Sequence, residues 1–230
     1  MIEIVHGDAR QVEPPADIGC LVFDPPWDDA ELLAWTPPPA DNVLAFTDGR
    51  RFGQTVEKFG PPTWVFVWDT MNQWQSGPRR PLQQTKFCLW YGELDTYERD
   101  AQLWGEPPIT RDNPTTKQTP LAGRRLIDLW RESIRWLHHP EPANGTAGPE
   151  RFGKRQGDPV YRHAKPVGWL RCLVGNCSKG LIYDPFMGSG ASLVAAKQLN
   201  RPAVGVDVDL ACCEEVKRRI VGPLFAEVSA

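Results

Sequence analysis

Two short strings in this 230-residue chain place chemically useful side chains at fixed positions. The first, Asp24-Pro25-Pro26-Trp27, follows the apolar run Ile18 to Phe23 directly. Two consecutive prolines fix two φ angles, remove two N–H groups and hold Asp24 extended. What remains is a stiff rim of acceptors, the Asp24 carboxylate and the Pro25 carbonyl, with an aromatic plane beside it. Two acceptors facing the two N–H bonds of a ring-conjugated amine, such as N6 of adenine, would localise its lone pair and aim it at an electrophile. Trp27 would stack on the base, a contact worth about 1–3 kcal/mol, and so offset part of the cost of flipping a base out of a duplex. The same four residues also fit a proline turn behind a strand, with Trp27 in the core.

The second string is Asp184-Pro185-Phe186-Met187-Gly188-Ser189-Gly190, between a strand pattern and a helix pattern. Its glycines allow close backbone approach to a ligand and a tight turn into the helix. The next strand pattern ends at Asp207, 23 residues beyond Asp184, where an acidic side chain can accept both hydroxyls of a ribose. Leu193 stands where a dinucleotide fingerprint has its third glycine, so a nucleoside without pyrophosphate fits better than NAD.

In order and content these strings resemble the amino-group DNA methyltransferases of permuted, β-type order, the small phage-borne members above all. In that family the catalytic DPPW or DPPY motif comes first and the FxGxG cofactor motif lies near the C-terminus. His163-Ala164-Lys165-Pro166 resembles the element that precedes the cofactor motif, and His6-Gly7-Asp8 the family's short Gly-Asp element. The resemblance implies S-adenosylmethionine as cofactor and DNA as substrate. It casts Asp24 and Pro25 as orienting the target amine, Pro26 as stiffening the turn and Trp27 as holding the base. Gly188 and Gly190 would shape the cofactor loop, with Phe186 packed beside it. Asp184 would face the methionine ammonium, Asp207 the ribose, Asp8 the cofactor adenine and Lys165 the cofactor carboxylate. Ala191 departs from the Thr or Ser that many members carry. Members acting on N4 of cytosine more often have Ser at the first motif position, so Asp24 favours N6 of adenine. N4-cytosine methylation, RNA adenine methylation and a catalytically inactive nucleic-acid-binding subunit are the competing readings. No metal is expected, and the family setting implies a modification enzyme of the restriction-modification kind.

The elements that must hold these strings read as α/β. Strand patterns run over 3–5, 18–23, 42–46, 63–68, 86–91, 180–183 and 203–206, the fifth of these at an edge or in a hairpin. Helix patterns run over 49–59, 121–137, 191–199 and 211–220. Short apolar strands alternating with helices predict a single Rossmann-like domain with a mostly parallel twisted sheet and helices on both faces. Within it, residues 1–110 form a catalytic half, about 111–165 a helix and basic target-recognition region, and about 163–220 a cofactor-binding half.

The net charge of −3 conceals an asymmetry: residues 111–179 carry 13 Lys and Arg against 6 Asp and Glu, the remainder 13 against 23. A basic segment on an acidic protein suits a polyanion as well as a solvated loop. Within it, Arg151, Lys154 and Arg155 lie in a Pro- and Gly-rich stretch, 138–162, read as a long loop that contacts DNA phosphates. The six cysteines show no zinc spacing and are expected to be reduced. With no membrane-length apolar run and no signal-peptide layout, the expected location is the cytoplasm of a bacterial or phage-infected cell. Trp64, Trp68, Trp90, Trp130 and Trp136 are expected in the core. Monomer and homodimer are both compatible with the sequence.

Overall fold

The structure, a computed structural model, describes residues 1–26, 28–74, 83–93, 129–131 and 164–221. At its centre is β2 (Ile18–Phe23), six apolar or small residues that are all buried. A strand covered on both faces sits in mid-sheet. Accordingly β2 pairs in parallel with β3 (Asn42–Asp48) on one side and β7 (Leu181–Asp184) on the other. Parallel β8 (Ala203–Asp207) and β1 (Ile2–His6) follow outward from β7. Outward from β3 come β5 (Gln83–Tyr91), antiparallel to both neighbours, then β4 (Trp64–Trp74) and β6 (Leu129–Arg131). The described strands form one sheet in the order β1-β8-β7-β2-β3-β5-β4-β6.

Alternation along the strands divides the core in two. Cys20, Val22, Leu44, Phe46, Cys88 and Trp90 belong to one cluster, with α3 (Val167–Gly175), α4 (Ala191–Gln198) and α5 (Leu210–Val221) packed on it. Leu21, Phe23, Ala45, Leu89 and Tyr183 belong to the other. That second face is covered by Trp35, at the end of α1 (Ala30–Ala34), and by Phe52, Val56 and Phe59 of α2 (Phe52–Phe59). The spacing of those three residues puts them on one face of α2, which begins three residues later than the helix read over 49–59. Helices therefore cover both faces, as expected.

Several expectations are corrected. The helix read over 121–137 does not hold at its centre, because Leu129–Arg131 is a strand paired in parallel with Val67–Asp69; the rest of that span lies outside the described residues. Pairing at a sheet edge overrides a helical period over so short a stretch. Of the two placements allowed for β5, the hairpin holds and the edge does not, since β5 lies between β3 and β4. Trp64 is 53% exposed rather than core, whereas Trp68 and Trp90 are buried. The side chains of Trp130 and Trp136 lie outside the described residues. Helix α3 was not anticipated: six of its nine residues are buried, so it shows no clean polar face. Arg201 donates to the carbonyls of Val174, Cys177, Ser178 and Gly180, satisfying the end of α3 and fixing the turn into β7. All six cysteines are free and buried, as expected.

Candidate active site

Five neighbouring parallel strands each deliver an aspartate to the same rim of the sheet. In sheet order these are Asp8 just past β1, Asp207 ending β8, Asp184 ending β7, Asp24 just past β2, and Asp48 ending β3. The chain leaves β2 for β3 in one direction and β7 for β8 in the other, so β2 and β7 flank the topological switch point. Open α/β sheets bind ligands in the crevice at that point. Asp24 and Asp184 stand on its two banks.

On the β2 bank, Pro25 is buried and Pro26 exposed. The turn closes through Asp29 N–H on the Pro26 carbonyl at 3.0 Å, and Asp29 caps α1 by accepting from Glu31 and Leu32 N–H. Arg51 ties this turn to the next strand: its guanidinium reaches Asp28 at 2.5 Å and the buried Asp48 at 3.3 Å. Asp48 also faces Lys86 at 3.8 Å, whose proton affinity is lowered chiefly by burial. Asp24 itself receives the Lys165 ammonium on Oδ2. Beneath it, Phe23 meets Phe59 and Phe186 edge-on at 5.1 and 5.6 Å, so the two banks share one aromatic floor.

On the β7 bank, Asp184 is only 4% exposed. Its Oδ2 accepts the Ser192 hydroxyl and its Oδ1 accepts Phe186 N–H at 3.1 Å. Burial raises this carboxyl to about 7; the two hydrogen bonds oppose the rise, nearby Asp24 adds to it and Lys165 opposes it. The glycine loop then turns into α4 with Gly188 at φ +47° and Gly190 at φ +71°. A Cβ at Gly188 would meet nothing nearer than the Phe186 carbonyl at 3.9 Å, so the backbone there is open to close approach. Asp207 braces the loop, its Oδ2 accepting Gly188 N–H at 2.8 Å and its Oδ1 accepting Asp209 N–H at 2.8 Å. Burial raises its proton affinity as well. Arg219 of α5 donates to the Ser189 carbonyl from the far side.

A stiff acceptor rim facing a glycine loop between a buried acid, Asp184, and a half-buried one, Asp207, can hold an amine against a nucleoside that bears a cation. Comparison with known proteins agrees. The family model described as DNA methylase (N6_N4_Mtase) matches residues 39–218, more than half of the chain. The chain belongs to the N6/N4 DNA methylase family. Among solved structures, this methylase resembles the M1.HpyAVI–SAM complex at 18% identity and TM-score 0.60, over 96% of this chain and all of that one. It resembles TTHA0409 of Thermus thermophilus, complexed with S-adenosyl-L-methionine, at 16% identity and TM-score 0.56, over 96% and 95%. The cytosine-N4-specific PvuII DNA methyltransferase matches at 11% identity and TM-score 0.57, over 96% and 87%. At such identities the likeness concerns the fold, which is the Rossmann-like methyltransferase fold in permuted order. Comparison with the curated proteins finds no match.

In the methylase the structure brings together Asp24, Pro25, Asp184, Phe186, Gly188, Gly190 and Asp207 around one crevice. Asp8 lies on the same rim, at the β1 end of the row, but both its carboxylate oxygens engage the Arg10 guanidinium, which lowers its proton affinity. Lys165 is present with its ammonium on Asp24. Trp27, Arg151, Lys154 and Arg155 lie outside the described residues. Sequence reading missed Ser192, Arg51, Asp48 and Lys86. Ser192 was signalled weakly, one position past the Ala191 that departs from the family pattern. The others act through partners on separate strands, which no spacing rule exposes. Among the described residues no cluster of His, Cys, Asp or Glu could hold a metal ion, and no helix is long and apolar enough to cross a membrane.

Proposed function

We propose that this methylase transfers a methyl group from S-adenosylmethionine to N6 of adenine in duplex DNA. The observation that carries the reading is Asp24 at the end of β2, across the switch point from the glycine loop that follows β7. When bound, the cofactor supplies a methyl group already activated by its sulfonium. The chain contributes orientation: Asp24 and the Pro25 carbonyl accept from the target amine, Pro26 keeps the rim stiff, Trp27 stacks on the base, and the proton that the methylated nitrogen sheds leaves to Asp24 or water. Proximity and alignment supply much of the acceleration, without a metal. In the cofactor half, Asp184 would hold the ammonium and Asp207 the ribose hydroxyls, while Gly188 and Gly190 would shape the loop around the nucleoside, with Phe186 packed beside it. Asp8 is assigned to the cofactor adenine, which requires it to share its carboxylate with Arg10. The domain divides into a catalytic half (1–110), a target-recognition region (about 111–165) and a cofactor half (about 163–220). In the middle region, Arg151, Lys154 and Arg155 contact DNA phosphates. An acidic rim needs such a basic partner region to approach a polyanion.

Asp24 supports adenine over cytosine through the family resemblance, in which members acting on N4 of cytosine more often carry Ser at this position. The direct test incubates the protein with S-adenosylmethionine and duplex DNA, digests to nucleosides and reads them by mass spectrometry. N6-methyladenine is the expected product. N4-methylcytosine would overturn the choice of base, activity confined to RNA the choice of polymer, and cofactor binding without any transfer the enzyme reading itself.

The Asp184 carboxyl makes a second prediction. Because its folded value is raised, it contributes stability that is complete below its ordinary 3.8 and lost as pH rises through about 7. A ligand ammonium favours the ionised form, so ligand affinity runs the opposite way. Binding of S-adenosylhomocysteine should strengthen by up to about tenfold per pH unit until the carboxyl is ionised, then level off. Calorimetry from about pH 5.5 to about 8.5 brackets the transition. Asp184→Asn should remove the slope; a flat profile in the parent protein would take Asp184 away from the ammonium.

A further inference from the structure

We propose that Lys165 is the positioning residue of Asp24, holding one carboxylate oxygen so that the other faces the target amine. The inference rests on the methyl-transfer reading above and departs from the cofactor-carboxylate role that the family resemblance implies for this lysine. Its Nζ donates to Asp24 Oδ2 across 141 residues of sequence, and among the described residues it is the only donor on Asp24. The contact is sheltered: the lysine side chain is 14% exposed and the aspartate 31%. The ammonium also lies 5.2 Å from the centre of the Phe46 ring, on the neighbouring strand β3. An ammonium held between a carboxylate and an aromatic face is confined in direction as well as distance.

The backbone supports the same placement. Ala164 and Pro166 are both buried on either side of Lys165, and Pro166 starts α3, which is packed into the core. The lysine therefore stands one residue before the N-cap of a packed helix. Its charge is needed there, because Asp24 and Asp184 stand on adjacent strand ends and Lys165 acts on both carboxylates. With Oδ2 committed to the lysine, Oδ1 is left as the acceptor for an amine N–H. The amine nitrogen gains positive charge as its lone pair is spent, so a carboxylate turned a few tenths of an ångström off line loses most where charge develops.

The full-length protein tests this with duplex DNA at saturating S-adenosylmethionine. Lys165→Met should slow single-turnover transfer by about a hundredfold, the scale of a misplaced catalytic group. S-adenosylhomocysteine affinity by calorimetry should stay within about threefold, since the loss falls on the transition state rather than on ground-state binding. Lys165→Arg, which keeps the cation but not its point geometry, should recover at least about a tenth of the parent rate. If Lys165→Met is recovered unfolded, Lys165→Gln and Lys165→Arg make the same comparison of neutral against charged. Loss of cofactor affinity with transfer unchanged at saturation would return Lys165 to the cofactor carboxylate and overturn the proposal, as would a neutral variant with the parent rate. A parent protein that modifies no duplex would instead sink the underlying reading of the reaction, before any Lys165 variant is compared.

Discussion

Asp24→Ala should reduce methyl transfer by at least about a thousandfold, while S-adenosylhomocysteine binds within about threefold of the parent affinity. An exocyclic amine conjugated to a purine is a poor nucleophile, and the rim at the end of β2 has two acceptors with which to change that. The Pro25 carbonyl survives the substitution and the charged acceptor does not. The charge acts chiefly in the transition state, where the nitrogen turns cationic, so its removal falls on the rate rather than on the ground state. The cofactor half should persist because its contacts, Ser192 on Asp184 and Gly188 on Asp207, do not pass through Asp24. One local cost is expected, because the sheltered Lys165 ammonium loses its ion pair with Asp24. Asp24→Asn, which keeps an acceptor without the charge, should therefore be the more stable variant, and its activity should lie between the alanine variant and the parent. Single-turnover assays with calorimetry decide it. Transfer within tenfold of the parent by the alanine variant would move the chemistry off β2.

The candidate site was legible in the sequence wherever a chemical demand coincides with a local pattern. The run from Ile18 to Phe23 is apolar throughout because β2 is covered on both faces, and its abrupt end at Asp24 marks the rim. The glycine loop was readable because a tight strand-to-helix turn requires φ values that side-chain-bearing residues avoid, and Asp207 because it ends the next apolar strand. The middle of the sheet was less legible. β3 runs on to Asp48, two residues past its apolar stretch, because Thr47 and Asp48 pair with Phe87 and Lys86 of β5. Polar residues extend a strand there for the sake of a partner that no window along the chain contains. The strand at Leu129–Arg131 was hidden for the same reason, since three residues carry too little period to compete with a partner on β4. The electrostatics were least legible of all. Lys165 reads alone as a solvated lysine or a cofactor ligand, and only the fold brings it to a carboxylate 141 residues away.

Gly190→Ala should cost about 2–5 kcal/mol of stability and destroy cofactor binding under conditions where the parent binds, from two independent penalties. The first is conformational. Gly190 has φ +71°, and a side-chain-bearing residue held in the left-handed region costs about 1–2 kcal/mol. The second is steric. A Cβ at this position would lie 2.5 and 2.6 Å from the two γ-methyls of Val216 and 3.1 Å from its Cβ. Val216 is fully buried on α5, so it cannot swing into solvent, and overpacking of this kind costs about 1–3 kcal/mol. Relief requires α4 and α5 to separate at the point where the loop is anchored. Gly190 N–H bonds the Met187 carbonyl at 2.7 Å, and Gly190 accepts from Val194 N–H at 3.0 Å as α4 begins. Moving these shifts Ser192 away from Asp184 and Gly188 away from Asp207, so both acids lose the bonds that fix them. Val216→Ala removes the two γ-methyls and leaves φ untouched. The double variant should therefore be less destabilised than the sum of the two single changes, by the steric share alone. Denaturant unfolding of the four proteins gives the coupling directly. Strict additivity would mean that the loop and α5 do not touch as described, and a Gly190→Ala protein as stable as the parent would remove the left-handed turn from the site.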